Sequence, residues 1–267
     1  MWGAVIGDLA GSKYEASQAR KTSRIDNIST LIDEDSFFSD DTILTIAVYD
    51  AIFHGCQYEK YLRLYGMRYA HYAPKTNLKK TFKTPFSHGF IKWVEKEKEG
   101  TSAGNGAMMR ISGVGFMFDE KTEVVKNAYL ATKPSHFSKE AIVSATNVAL
   151  VIYYARMGMG IDDIMERLGL KYLVYRPFEK FNRICSETEP NCMYALFSSN
   201  SFEEAMIRTI SMGGDTDTNG AIVGAMAEAI FGVPQYLVDE ARAKIPEEFS
   251  NILDKAYESK KKATEKS

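Results

Sequence analysis

Residues 42–53 read Thr-Ile-Leu-Thr-Ile-Ala-Val-Tyr-Asp-Ala-Ile-Phe, and this stretch decides the fold class. Its apolar residues recur at positions 44, 47, 48, 51 and 52, the spacing of one face of an amphipathic helix. Similar stripes occupy residues 58–72, 141–157, 161–168, 202–212 and 221–231, and residues 238–252 are a further candidate interrupted by Pro246. Because alternating strand patterns are hard to find, we predict an all-α protein built from many packed helices.

The length of 267 residues fits one large domain or two small ones. No internal repeat and no Pro- or Ser-rich linker divides the chain, so we assign residues 1–257 to a single compact domain. We expect residues 258–267, which are rich in lysine, to form a disordered basic tail. Segments 14–40 and 74–106 lack helical stripes, and irregular segments of that length are usually functional or mobile.

The charge and the cysteines narrow the function class. The formal net charge of −2 offers no basic field to attract nucleic acid or a membrane, so we expect neither partner. The three cysteines, Cys56, Cys185 and Cys192, are scattered and form no C-x-x-C pair, which is typical of reduced thiols in the cytoplasm. Because the N-terminus has no basic signal-peptide region and no apolar run reaches membrane-spanning length, we predict a cytoplasmic protein, and we expect a monomer.

The strongest chemical signal is Gly-Gly-Asp-Thr-Asp-Thr-Asn-Gly at residues 213–220, directly before a helix of small residues. In an α-helix, Asp215 and Asp217 would point about 200° apart, so they share a side only if the backbone is extended. The two glycines favour such a non-helical turn. The ordinary alternative is that Asp217 or Thr218 is only the N-cap of the next helix.

A second cluster, Ser39-Asp40-Asp41-Thr42, also precedes a helix and repeats the composition of two carboxylates flanked by hydroxyls. Oxygen ligands without histidine or cysteine suit hard cations such as Mg²⁺ or Mn²⁺ and argue against zinc. Two unpaired carboxylates 4 Å apart repel by about 4 kcal/mol at an effective dielectric of 20. If the two clusters converge, they must therefore hold protons or cations, and cations are the simpler answer at neutral pH.

The N-terminal segment and two shorter motifs add to this picture. Glycines at positions 3, 7 and 11 would leave one helix face bare enough for very close packing, and Asp8 and Glu15 lie near one face of that helix. The plain alternative is a close-packed helix with two surface acids. The glycines of Gly-Asn-Gly at 104–106 could turn N–H groups toward an anion, and His136 could line a pocket. No Gly-x-Ser-x-Gly motif or credible catalytic cysteine occurs, which disfavours a Ser or Cys nucleophile.

In this order, these motifs resemble those of the ADP-ribosylglycohydrolase family, and they span nearly the whole chain. They lie at residues 3–15, 39–42, 104–110, 135–136 and 213–220. The resemblance implies an all-α domain with two adjacent divalent cations, Mg²⁺ or Mn²⁺, at the base of a cleft. It implies that the metal ligands are Glu15, Ser39, Asp40, Asp41, Asp215, Asp217 and Thr218.

The resemblance also implies an activity, the hydrolysis of a glycosidic bond at C1″ that releases ADP-ribose from a protein or small-molecule conjugate. The loop containing Gly104, Asn105, Gly106 and Met109 would face the diphosphate and ribose, and His136 would flank the distal ribose. We expect Glu15 to double as general acid and base, because it has the longest stem, and Asp40 or Asp41 is the alternative base.

Three positions depart from the common pattern of the family. Ala103 stands where an aromatic residue often precedes the Gly-Asn-Gly motif, Ser39 replaces a threonine, and Glu228 replaces a small residue. Arginine, serine, nucleic-acid and small-molecule linkages all stay open as substrates. Two other functions stay open as well. One is a catalytically silent ADP-ribose-binding or structural member of this fold, and the other is a two-metal phosphatase, against which we count the lack of an arginine cluster.

Overall fold

The computed structural model describes residues 1–18, 25–74, 84–96, 100–170 and 183–264. Within these ranges all regular secondary structure is helical, and the only β pairing is two isolated bridges, Thr101 with His136 and Gly104 with Ile184. The helices are α1 (Trp2–Gln18), α2 (Asp40–Phe53), α3 (Tyr58–Arg68), α4 (His88–Glu95), α5 (Gly106–Met109), α6 (Ser112–Met117), α7 (Lys121–Thr132), α8 (Lys139–Arg156), α9 (Ile161–Arg167), α10 (Cys185–Phe197), α11 (Phe202–Ser211), α12 (Thr216–Phe231), α13 (Gln235–Arg242) and α14 (Glu247–Thr264). The predicted all-α fold is confirmed as a single compact multi-helix domain.

Every helical stripe of the sequence falls on a helix of the structure. The stripes at 42–53, 58–72, 141–157, 161–168, 202–212 and 221–231 lie on α2, α3, α8, α9, α11 and α12. The candidate at 238–252 is divided between α13 and α14, because Pro246 lies directly before α14 and accepts a hydrogen bond from the N–H of Phe249 (2.9 Å). Proline is compatible with the start of a helix and not with its interior.

Five helices carried no stripe that we recognised, and each has a local reason. Helix α4 lies inside the segment 74–106 that we predicted to be irregular. Helices α5 and α6 are only 4 and 6 residues long, too short for a periodic pattern. Helix α7 is rich in charged and polar residues, and α10 contains Pro190. Short or polar helices of this kind form because the surrounding domain packs against them.

The prediction of a disordered tail from residue 258 is wrong for residues 258–264, which continue α14. Buried side chains of Phe249, Leu253 and Ala256 hold this helix against the core at helical spacing. Lys260, which we expected to be solvated, is largely buried and pairs with Asp119, and its ammonium also donates to the carbonyl of Met117 (3.2 Å). Residues 258–264 are helical because these tertiary contacts offset the weak apolar character of their sequence.

The close packing expected from the N-terminal glycines is confirmed, and the partner is α12. A Cβ atom added at Gly7 would lie 1.9 Å from the carbonyl oxygen of Gly220, and one at Gly3 would lie 2.1 Å from that of Gly224. Glu228, the unusual residue on α12, accepts a hydrogen bond from the N–H of Gly3 (2.6 Å) and therefore satisfies the first turn of α1. Nearly all of α12 is buried, so α1 and α12 form the centre of the domain.

We expect Gly7→Ala to lower the free energy of unfolding by about 3 kcal/mol or more, because the added methyl group would separate two helix backbones that are in contact. Urea unfolding followed by circular dichroism measures the loss. The control is Gly89→Ala on α4, where an added Cβ meets nothing within 4 Å. Since alanine favours helix more than glycine, this control should gain up to about 1 kcal/mol. Equal effects at both positions would contradict close packing of α1 on α12.

None of the described helices has both the length and the hydropathy that a membrane crossing requires.

Candidate metal and ligand site

A cavity of about 370 Å³ opens where α1 ends and where α2 and α12 begin. Its volume is in the range of small-molecule sites in proteins. Eleven of the residues predicted for the site line it, namely Glu15, Ser39, Asp40, Gly104, Asn105, Gly106, Met109, His136, Asp215, Asp217 and Thr218. Asp41 is fully buried beneath the wall. The predicted motifs, which are far apart in the sequence, therefore meet around one cavity.

Two sets of three carboxylates lie at the base of this cavity. In the first set, one oxygen each of Asp8, Asp41 and Asp217 lies within 4.8 Å of the others, and in the second set the same holds for Glu15, Asp215 and Asp217. All five residues are buried, and Asp217 belongs to both sets. We call them the first triad and the second triad. Two adjacent triads with a shared member match the arrangement that two neighbouring cations require.

The turn before α12 explains how Asp215 and Asp217 converge. Gly213 and Gly214 have φ angles of 75° and 78°, a left-handed conformation that glycine adopts without steric cost. Asp215 follows with φ −83° and ψ 71°, outside the helical region, and Asp217 lies in the first turn of α12. Asp215, and not Asp217 or Thr218, is thus the N-cap, and its side chain makes no capping hydrogen bond. Its carboxylate instead accepts a hydrogen bond from the side-chain amide of Asn105 (2.7 Å) and forms an ion pair with Nε of Arg183 (3.3 Å).

The start of α2 is held by residues of both clusters. Ser39 is the N-cap, its hydroxyl accepts the N–H of Asp41 (3.2 Å), and it donates to the Asp41 carboxylate (2.9 Å). Asp8 on α1 accepts from the N–H groups of Ser39 (2.9 Å) and Thr42 (3.0 Å). The hydroxyl of Thr218 lies 3.3 Å from the same oxygen of Asp41. Ser39 and Thr218 therefore orient an acid of the first triad.

Asp40 occupies a different position from its neighbour. Asp40 lines the cavity but belongs to neither triad among the described residues, whereas Asp41 belongs to the first triad. The expectation that Asp40 and Asp41 ligate together stays a prediction, and the geometry favours Asp41 for a triad and Asp40 for the cavity wall.

Burial and mutual repulsion make the carboxylates hard to ionise. Loss of solvent raises the pKa of Asp8 to about 6, and the same cause together with the charge of Asp8 raises the pKa of Asp40 to about 8. The pKa values of Asp41 and Asp217 lie well above the usual range, first because of burial and then because of neighbouring carboxylates. At neutral pH such a cluster needs protons or cations to be stable.

The donor set fits hard cations. One oxygen of Asp8 and one of Asp41 are buried and have no hydrogen-bond partner among the described residues. A buried carboxylate oxygen without a partner is costly, and a cation would satisfy it. The triads contain only carboxylates, the ligands that Mg²⁺ and Mn²⁺ prefer.

The Gly-Asn-Gly loop faces the protein more than we expected. The N–H of Gly104 donates to Ser102 (3.0 Å), and that of Asn105 donates to the carbonyl of Arg183 (2.8 Å). The side-chain amide of Asn105 donates a hydrogen bond to the carboxylate of Asp215. Neighbouring protein groups accept these two N–H groups, and the expectation that the loop faces an anion stays a prediction. Helix α5 begins at Gly106, and this glycine lies against His136. A Cβ atom added at Gly106 would be 3.1 Å from Nε2 of His136.

A buried chain of polar groups orients His136. The guanidinium of Arg110 donates to the hydroxyl of Ser135 (2.7 Å), and that oxygen lies 2.7 Å from Nδ1 of His136. Since arginine only donates, the serine hydrogen is available for Nδ1, and Nε2 then carries the imidazole proton. Burial and the charge of Arg110 lower the pKa of His136 well below its usual value, so the ring is neutral at neutral pH. His136 therefore presents an N–H donor at the cavity.

Three residues of the site were missed by the sequence analysis as functional groups. Asp8 was placed on the same helix face as Glu15, and that spacing was a usable signal for a ligand. Arg110 ends the Gly-Asn-Gly motif, and nothing in the sequence showed that it would be buried beside Ser135. Arg183 belongs to no motif, yet its side chain pairs with Glu15 and Asp215. Only the tertiary structure brings it to the cavity.

The fold and this site together define a class of protein. Its members are all-α, and their cavity has two carboxylate triads at its base and a glycine-rich loop in its wall. The family model of the ADP-ribosylglycohydrolases matches residues 1–265, and the chain belongs to this family.

Curated relatives and a solved structure agree with this assignment. The chain is 23% identical to ADP-ribosyl-dinitrogen reductase glycohydrolase of Rhodospirillum rubrum over 57% of its own length, and it spans only 55% of that protein. It is 22% identical to ADP-ribosylhydrolase ARH3 of Mus musculus, with 87% of this chain and 83% of that protein covered. A solved structure described as an ADP-ribosylglycohydrolase-related protein complex has a TM-score of 0.63 at 19% identity, with 91% of this chain and 95% of that chain covered. At this identity the structure supports the shared fold.

Proposed function

We propose that this protein is a divalent-cation-dependent hydrolase that releases ADP-ribose by cleaving a glycosidic bond at C1″. The observation that carries the proposal is the pair of carboxylate triads that share Asp217 at the base of a ligand-sized cavity. Membership of the family supports hydrolysis of ADP-ribose conjugates in general. The dependence on cations and the bond that is cleaved are our proposals.

Two ions, Mg²⁺ or Mn²⁺, would be held by the first and the second triad. Such ions supply Lewis acidity and charge neutralisation at a substrate oxygen when they are bound. Ser39 and Thr218 act on this arrangement by fixing the carboxylate of Asp41, and we retain both as candidate ligands.

Among the predicted catalytic groups, Glu15 and Asp40 are better placed than Asp41. Both line the cavity, whereas Asp41 is 1% exposed and its carboxylate accepts from Ser39 and Thr218. Departure of a group from ribose C1″ passes through an oxocarbenium-like state, which needs a carboxyl group to protonate the leaving atom or activate water. We propose Glu15 for this proton transfer and keep Asp40 as the alternative.

The ligand would extend from the triads along Gly106 and His136. Nε2 of His136 offers a donor to a ribose hydroxyl, and the start of α5 at Gly106 lies beside it. Ala103 supplies no aromatic platform for adenine, but Phe37, Phe86 and Phe90 form an apolar part of the cavity wall. We propose that adenine packs against this wall.

We expect Gly106→Val to lower the affinity for ADP-ribose tenfold or more, about 1.4 kcal/mol. An added Cβ would lie 3.1 Å from Nε2 of His136, so the larger side chain must displace the imidazole or fill the cavity beside it. Calorimetric titration of ADP-ribose measures the loss. The control is Gly89→Val, which has open space around it. Unchanged affinity in a folded Gly106→Val protein would place the ligand elsewhere.

The proposed function is tested by incubating the protein with a panel of conjugates, with Mg²⁺ or Mn²⁺ and with EDTA, and measuring free ADP-ribose. The panel contains ADP-ribose linked to arginine, to serine, to nucleic acid and to a small molecule. Cation-dependent release from any member supports the proposal and identifies the linkage. Binding of ADP-ribose without release from any member would instead support the catalytically silent alternative.

One observation favours keeping a phosphatase arm in the panel. Arg110 and Arg183 both line the cavity, although no arginine cluster was visible in the sequence. Arg110 donates to Ser135 and Arg183 pairs with Glu15, so the two guanidinium groups make separate protein contacts and do not form one clamp. Release of phosphate from p-nitrophenyl phosphate, without release of ADP-ribose from any conjugate, would favour the phosphatase over the ADP-ribosyl hydrolase.

The proposed partner is an ADP-ribosylated protein or small-molecule conjugate. The three cysteines are free thiols, as expected. The cytoplasmic location, the monomeric state and the lack of general affinity for nucleic acid stay predictions.

A further inference from the structure

The side chain of Arg183 lies where the second triad would hold its cation. Its Nη2 is in direct contact with Glu15 Oε1, and its Nε lies 3.3 Å from Asp215 Oδ1. Glu15 and Asp215 are two of the three members of the second triad. We propose that Arg183 is an internal counter-cation that a divalent ion must displace before the second triad can bind it. This inference rests on the cation site of the proposed function.

A guanidinium on these oxygens opposes the binding of a divalent cation in the second triad. Arg183 occupies acceptor sites of Glu15 and Asp215, and two positive charges at contact distance repel strongly where solvent is excluded. Glu15 and Asp215 belong to the second triad alone, so these ion pairs directly oppose an ion there. Asp8 and Asp41 are held by hydroxyl and N–H donors of Ser39, Thr42 and Thr218. We therefore infer that the two ions bind with unequal affinity, the first triad without competition and the second triad against it.

The arginine can move, whereas the carboxylates cannot. The side chain of Arg183 is 49% exposed, against 9% for Glu15 and 4% for Asp215. Its guanidinium can turn toward water once an incoming ion takes over the charge of the two carboxylates, because arginine stays charged at the surface. Asp215 is also fixed by the side-chain amide of Asn105 (2.7 Å). The mobile partner of these ion pairs is thus the arginine head group.

The backbone of Arg183 is anchored at the same time. Its carbonyl accepts the N–H of Asn105 (2.8 Å), and the next residue, Ile184, forms the bridge with Gly104. A displaced guanidinium would therefore stay beside the Gly-Asn-Gly loop. Binding of the second ion and exposure of a positive charge at the cavity rim are then one event.

The test is calorimetric titration of the full chain with MnCl₂ alone, without substrate, for the wild type and Arg183→Gln. We expect the wild type to show two binding events of different affinity. In Arg183→Gln the weaker event should tighten at least tenfold, and the tighter event should change less than threefold. The matched control is Arg242→Gln, which removes a similarly exposed arginine of α13 that pairs with Asp254 of α14 and does not line the cavity, and should change neither event.

Thermal unfolding and a charge-conserving variant complete the test. In EDTA, Arg183→Gln should melt at a lower temperature than the wild type, because it leaves Glu15 and Asp215 without their counter-ion, and saturating Mn²⁺ should raise its melting temperature by more than it raises that of the wild type. Arg183→Lys, which keeps the charge and should fold in any case, should bind the second ion with an affinity between those of the wild type and Arg183→Gln.

Three outcomes are distinguishable. If Mn²⁺ binds twice but Arg183→Gln leaves the weaker event unchanged or weakens it, the arginine does not compete and this inference is wrong while the cation site stands. If no variant binds Mn²⁺, the cation site of the proposed function fails and this inference fails with it. If the weaker event tightens but no conjugate is hydrolysed, the inference holds and the proposed activity fails.

Discussion

Asp217→Asn is expected to abolish cation-dependent release of ADP-ribose, with a fall in kcat/KM of about 10³-fold or more. Asp217 is the member shared by both triads, so one substitution removes a charged ligand from each proposed ion. Stabilisation of developing charge by bound ions is worth several kcal/mol, and every 1.4 kcal/mol is tenfold in rate. Initial rates on the best conjugate of the panel and the Mn²⁺ content after gel filtration give the two measurements.

The effect on stability separates loss of ions from loss of the fold. In EDTA, Asp217→Asn should be at least as stable as the wild type, because it removes one of several buried carboxylates that repel each other. The rise in melting temperature on adding Mn²⁺ should be lost. Asp162→Asn, the same change at an exposed acid of α9, is the control and should retain both activity and ions. Full activity of Asp217→Asn, or of the wild type after exhaustive chelation, would refute the two-cation proposal.

Glu15→Gln is expected to lower kcat by roughly 10²–10⁴-fold, the usual range for loss of a general acid or base. The amide keeps the shape of the side chain and cannot transfer the proton. Affinity for ADP-ribose should stay within a few-fold, because the ligand contacts proposed at Gly106 and His136 are unchanged. Single-turnover rates at saturating Mn²⁺, with the bound metal quantified, separate proton transfer from the second role of Glu15 as a triad member.

Two further variants decide between the candidate acids. Glu258→Gln, at an exposed position of α14, is the matched control and should behave as the wild type. Asp40→Asn tests the alternative, since Asp40 also lines the cavity. If turnover survives in Glu15→Gln and is lost in Asp40→Asn with ions still bound, the proton transfer belongs to Asp40.

Much of the molecule was predictable because its determinants are local. Apolar residues at helical spacing predicted α2, α8, α11 and α12, since burial of one helix face depends only on positions within a few turns. The glycines at 3, 7 and 11 predicted a close helix contact, and Gly213-Gly214 predicted the turn that lets Asp215 and Asp217 converge. The acidic clusters predicted a cation site because oxygen ligands without histidine or cysteine suit hard cations, although the same residue types are also common helix N-caps. Local sequence thus named four of the five carboxylates of the two triads, and missed only Asp8 as a ligand.

What the sequence could not give depends on contacts between distant segments. The partner of the glycine face is α12, and this contact places Asp8 of α1 within reach of Asp41 and Asp217, which no local spacing predicts. Helix α14 continues past residue 258 because Lys260 pairs with Asp119. Arg183 lies outside every motif, yet it pairs with Glu15 and Asp215, and the neighbouring Ile184 forms a bridge with Gly104. Spacing along a helix fixes the face on which a side chain lies. The distance between two charged side chains on different helices is fixed by how those helices pack. In a buried site that distance determines how strongly the carboxylates attract a cation, whether it is the guanidinium of Arg183 or a divalent ion.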